Sequence, residues 1–197
     1  MNTHIKITRE LVQKIDILLN AGLVRGLGKA KAGQGCVEAM LCLALGLRHS
    51  DDPICVNQAV RRCKIQINDA PWSSNETRGK ALKKVAILQL NTKDTITDEE
   101  FWLTLKHELD TTDDQTRKWS AYAADATYSA ADAYSAADAA ADAAASAADA
   151  AAADAASADA AYSAAADKIL FKFVGCMERA LISLNVEGVK WLPYLSE

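Results

Sequence analysis

From Trp119 to Asp167 the chain is written almost entirely in Ala, Asp, Ser and Tyr, with no Gly, Pro, Lys or Arg. Alanine has the best helix propensity and no breaker interrupts the run, so the stretch predicts helix with little tertiary help. Its polar residues Asp125, Ser129, Asp132, Ser135, Asp138, Asp142, Ser146 and Asp149 recur three or four apart. The stripe continues through Ala153, Ser157, Ala160 and Ser163 to Asp167 with a mean spacing of about 3.5 residues, the coiled-coil value. Tyr128, Tyr134 and Tyr162 each precede a stripe serine and so form a rim about 100° to one side. Asp154 and Asp159 fall off the stripe, and the phase therefore slips between Ala153 and Asp159.

One continuous helix over this run would be roughly 74 Å long at about 1.5 Å per residue, against roughly 40 Å for the diameter of a body of about 150 residues. The tail beyond it carries Ile169, Leu170, Phe173, Val174, Met177, Leu181 and Leu184, too much apolar surface to leave in water. Either the arm folds back as a hairpin and returns the tail to the body, or it is a rod whose tail finds a second chain. With no Gly or Pro, the sequence does not place the turn.

Large apolar side chains are concentrated outside this segment, and charge divides the same way. Residues 1–110 carry 16 Lys and Arg against 13 Asp and Glu, whereas residues 111–167 carry 2 against 10. The expected organisation is a mildly basic helical body over 1–110, an acidic alanine-rich helical arm over 111–167, and a C-terminal helix and tail over 168–197.

Within the body, apolar spacing predicts a helix over Ile7–Leu19 capped by Thr8, a glycine-studded connection from Gly22 to Gly35, and a nearly all-apolar helix over Cys36–Leu45. A third helix is read from Ile54 to Ile67 after Pro53, with Ile54 and Val56 inward and Arg61, Arg62 and Lys64 mostly outward. Ser73 or Ser74 caps a fourth helix reaching to about Leu90, and Thr97 with Glu100 matches a capping box ahead of a fifth. No strand is expected, because the alternation in KIQIN is too short. The fold class is all-α: a helical bundle with a long alanine-rich helix or helical hairpin and a C-terminal helix.

Five cysteines at 36, 42, 55, 63 and 176 and a start without an apolar leader predict reduced thiols in a cytoplasmic protein. No run is apolar enough to span a bilayer. The paired Cys or His spacing of a structural zinc site is missing and no cofactor is called for. Gly28 to Gly33 has phosphate-loop spacing, but Gln34 stands where the lysine should be and no strand precedes it. The basic residues form no run suited to direct nucleic-acid binding.

Two groups carry chemistry. Glu38, in an otherwise apolar helix, needs a partner, for which Arg48, Arg61, Arg62 or a backbone amide is expected. His49, Asp51, Asp52 and Cys55 gather in one loop, and Glu38, His49 and Asp52 define the alternative reading, a small enzyme. The leading reading is non-enzymatic. The Asp ladder, with binding residues Asp125, Asp132, Asp138, Asp142, Asp149, Tyr128 and Tyr134, offers a surface to another protein, including one built to hold nucleic-acid phosphates. The bland counterpart is that Asp and Ser solvate one face while alanines pack on another helix. A homodimer through the tail is the further partner expected.

Residues 33–90 resemble an uncharacterised group of bacterial and phage proteins in the Cys-Val-Glu-Ala helix, the His-x-Asp-Asp-Pro-x-Cys-Val turn and the Asn-Asp-x-x-Trp-Ser-Ser segment. An alanine-rich region before a short apolar tail completes the likeness. The resemblance implies that Glu38, His49, Asp52, Cys55, Asn68, Asp69 and Trp72 belong to a family pattern, without attaching an activity. A phage-type inhibitory, anti-defence action, with the Asp stripe occupying a nucleic-acid groove, is one concrete form of the leading interaction reading. The Ala region here is richer in Asp than in the Tyr-rich members of that group.

Overall fold

The computed structural model describes residues 3–118, 133–154 and 159–196, and within these the side chains of 133–138, 151–154 and 159–163 lie outside the description. The chain is all-α, and among the described residues the one paired stretch of extended backbone is a single bridge between Gly28 and Gly35. The α-helices are α1 (Arg9–Asn20), α2 (Val37–Leu45), α3 (Gln58–Asp69), α4 (Asn75–Leu88), α5 (Asp98–Thr112), α6 (Ala133–Asp154) and α7 (Asp159–Ser183), followed by a 3-10 helix at Glu187–Tyr194.

Helix starts sit where the capping chemistry places them. Thr8 accepts from Leu11 N, Ser74 accepts from Thr77 N, and Thr97 with Glu100 closes a reciprocal capping box, each removing orphan donors from a first turn. Helix α2 ends on Gly46 at φ 70, where Leu47 N reaches back to Cys42 O at 2.9 Å, a left-handed cap that glycine adopts freely. Helix α3 differs from expectation, beginning at Gln58 rather than Ile54. Asn57 is its cap, accepting from Val60 N at 3.1 Å while its own N–H donates to Thr92 Oγ1 at 2.9 Å. Val56 N closes a turn on Pro53 O at 3.2 Å, so Cys55 and Val56 are buried from a loop and Ile54 faces solvent.

Helix α2 is the centre, with Val37 through Cys42 all buried. Helix α4 meets α1 so closely that a Cβ on Gly79 would overlap Leu19 O, and the 3-10 helix meets α4 the same way at Gly188 and Ile87 O. The chain end is fastened to α1 and α4: Ser196 N donates to Asp16 Oδ2 at 3.2 Å, Lys83 Nζ reaches Ser196 O at 2.8 Å and Asp16 Oδ1 at 3.2 Å, and Arg9 stacks over the Tyr194 ring at 5.3 Å.

The alanine-rich segment forms a layer of this bundle. Helix α6 packs on α3, α5 and α7, and Ala140, Ala141, Ala144 and Ala148 are fully buried, the small side chains allowing close helix approach. Helices α6 and α7 lie side by side, so the chain doubles back. Their ends, Asp154 and Asp159, bracket the place where the polar stripe changes phase; residues 155–158 are outside the described set. The apolar half of α7 then packs on α4 and α5, burying Leu170, Phe173, Met177 and Leu181. Lys172 Nζ fastens α7 to the end of α5 through Asp113 Oδ2 at 2.7 Å, and that hydrogen bond, with a further one from the Thr116 N–H, holds the Asp113 carboxyl down at about 2.

Candidate functional site

On α6 the sequence periodicity becomes geometry. Asp142, Ser146 and Asp149 are exposed along one edge, while the alanines between them are partly or fully buried. Over residues 139–148 the helix is held by its neighbours, so the two carboxylates are carried on a rigid support rather than a free arm. Of the other residues read as a binding ladder, Asp125, Tyr128 and Asp132 lie outside the described residues. Tyr134 and Asp138 belong to α6, but their side chains are outside the description.

The second group centres on Glu38, and its partner is Lys64 rather than an arginine. Both side chains are 0% exposed, with Lys64 Nζ 2.9 Å from Glu38 Oε1. Periodicity placed Lys64 outward because lysine is normally solvated; instead a carboxylate from α2 holds it beneath α3. The approach is an ion-pair contact more than an aligned hydrogen bond. Gln89 Nε2 donates to Glu38 Oε2 at 3.2 Å, leaving Gln89 Oε1 without a hydrogen-bond partner among the described residues. Burial pushes the Glu38 carboxyl above the usual range and the Lys64 amine below it, and each charge partly offsets the effect on the other. Removal from water disfavours both charged forms, whereas mutual attraction favours them.

The remaining members of the alternative catalytic set are separated from this pair. His49 Nε2 donates to Gly28 O at 3.1 Å, the carbonyl fixing the tautomer since it can only accept. Asp52 is exposed and receives Gln58 Nε2 at 3.4 Å and Arg61 Nε at 3.5 Å. Arg61 binds Asp51 more closely, at 2.9 Å through Nη2. No hydrogen bond or ion pair among the described residues joins any two of Glu38, His49 and Asp52, and Glu38 has no solvent-facing surface for a substrate to reach.

Three residues of the resemblance pattern, His49, Asn68 and Asp69, act on one object, the glycine-rich connection between α1 and α2. Asn68 Nδ2 donates to Val24 O at 3.0 Å, and its Oδ1 accepts from Val37 N at 3.2 Å. Asp69 Oδ1 accepts from Gly26 N at 2.8 Å. His49 holds Gly28 O, and at Gly28, with φ +63, a Cβ would overlap Gln34 O. The loop is thus tied from α3 and from the 48–53 turn, with Lys29 and Lys31 exposed at its tip. Trp72 donates from Nε1 to Ile67 O at 2.7 Å and packs edge-on against Phe171. Cys55 is buried, as are the other four cysteines, all of them free thiols. Burial pushes the Cys42 thiol up to about 11, the behaviour of an inert core filler.

Among the described residues no cluster of His, Cys, Asp and Glu could hold a metal ion, and no helix is long and apolar enough to cross a membrane. No family model, curated protein or solved structure matches the chain.

Proposed function

We propose that this is a non-enzymatic interaction protein that uses the acidic edge of α6 to engage a basic surface on another protein, in the manner of an inhibitor. The observation that carries the reading is the placement of Asp142 and Asp149 on one exposed edge of a helix whose alanine face is consumed by the bundle. Carboxylates fixed on a rigid rod can occupy a groove built for phosphates, and steering by that charge speeds encounter. A nucleic-acid-binding partner and a phage-type anti-defence role are the concrete form, and membership of the bacterial and phage group named above belongs to the same proposal. Five free, buried thiols support a reducing cytoplasm.

The test uses the full chain as immobilised bait in a bacterial lysate, beside an Asp142→Asn/Asp149→Asn variant. The reading expects a partner that the wild type retains at low salt and releases at high salt or on addition of duplex DNA, with retention by the variant lower by about tenfold. Equal, salt-insensitive retention by both baits would contradict it.

A further inference from the structure

We propose that the groove between α4 and α7 is a binding site for a small anion with a flat apolar body, of the nucleoside monophosphate class. The groove has a volume of about 370 Å³ and is lined by Lys80 and Lys84 from α4, by Phe171, Gly175 and Glu178 from α7, and by Ser196 at its end. That volume falls within the range of about 300–1,000 Å³ typical of small-molecule sites.

The glycine is the informative residue. Inside a helix glycine is the least favourable choice after proline, so its presence needs a reason. Gly79 in α4 has one, since a Cβ there would overlap Leu19 O. At Gly175 in α7 no backbone of another element comes within 4 Å; a Cβ there would meet only Arg179 Nη1 at 3.4 Å, in a guanidinium that Glu108 and Thr112 hold against α5. Gly175 lines the groove, and its missing side chain leaves that stretch of the wall open.

The lining sets the ligand chemistry. Lys80 and Lys84 are one helical turn apart on the same face of α4, and both are exposed, Lys84 with 61% of its side chain in solvent. The third lysine, Lys83, is spent on Asp16 and Ser196 O. Two ammonium groups at the mouth of a groove suit a phosphate. Phe171 is 43% exposed beside them, and Trp72 sets its ring from the side at 86° with centroids 5.4 Å apart. A fixed, exposed aromatic ring is a platform for a base. Glu178 completes the set: its Oε2 is 3.9 Å from Lys84 Nζ, and burial pushes its carboxyl up. A partly desolvated acceptor at that depth suits a ribose hydroxyl or an exocyclic amine. Phosphate, flat ring and hydrogen-bond donor together describe a nucleotide.

Calorimetric titration of the full-length protein with AMP, GMP, CMP and UMP, each alone, tests the assignment, with adenosine and inorganic phosphate as controls. The expected result is saturable binding of at least one monophosphate, at least about tenfold tighter than either control. Lys80→Ala/Lys84→Ala should weaken it by about tenfold or more. Gly175→Leu should abolish it in a protein that still unfolds cooperatively, because a leucine side chain occupies the wall that Gly175 leaves open. Absence of binding for all four monophosphates at millimolar concentration would overturn the assignment. So would phosphate binding as tightly as the nucleotides, or unaltered binding by a folded Gly175→Leu protein.

Discussion

Lys64→Met is expected to destabilise the protein by about 3–5 kcal/mol, read as a lower denaturant midpoint at unchanged slope. The substitution keeps most of the side-chain volume but strips Glu38 of its ion-pair partner at a position with no solvent access. The orphaned carboxyl must either stay charged in an apolar surround or take up a proton, and neither form finds adequate hydrogen bonding with Gln89 alone. Replacing both partners, as in Glu38→Leu/Lys64→Met, removes the burden together with its compensation. The double variant is therefore expected within about 1 kcal/mol of wild type, or above it. Glu38→Leu alone leaves Lys64 buried without its partner and carries a similar penalty, so the two single losses together far exceed that of the double variant. A Lys64→Met protein within about 1 kcal/mol of wild type would show that the pair is wetter than its burial implies.

Ala144→Leu is expected to cost about 1–3 kcal/mol, by forcing a large side chain into a face that is fully buried where α6 meets its neighbours. The control lies on the same helix. Asp142→Ala and Asp149→Ala, on the exposed edge, should each change stability by no more than about 0.5 kcal/mol. This contrast separates a helix built into the core from one that stands apart, since a solvated alanine helix would accept leucine at nearly every position without loss.

What could be read from the sequence divides by the range of the interaction responsible. Helix starts at Thr8, at Ser73 or Ser74, and at Thr97 were legible because a cap is decided within four residues, and Ser74 is the one of the pair that caps. The start of α3 was not, because Pro53 offers a plausible first turn and Asn57 is fixed as the cap by Thr92 and Ile96, thirty-five and thirty-nine residues away. The need of Glu38 for a partner was legible from its apolar surroundings. The identity of that partner was not, since periodicity places Lys64 with the solvated face and nothing local announces that α2 and Gln89 cover it. In the alanine segment the polar stripe changes phase between Ala153 and Asp159, but with no Gly or Pro the turn could not be placed; α6 ends at Asp154 and α7 begins at Asp159. The faces that pack could be sorted only by the polar stripe, because every alanine is the same size. Gly175 carries a signal in the sequence, a lone glycine in the middle of a helix, whose meaning depends on knowing that no backbone of another element approaches it.

The account turns on α6 being a packed layer of the bundle that presents its Asp142–Asp149 edge to a partner. Residue-resolved amide hydrogen exchange over residues 140–148 tests this directly. Packed as described, these amides should open only with the core and share the protection of α4, reporting most of the free energy of global unfolding. Exchange of the same amides within seconds, while α4 stays protected, would mean an alanine helix free of the body and would contradict the account.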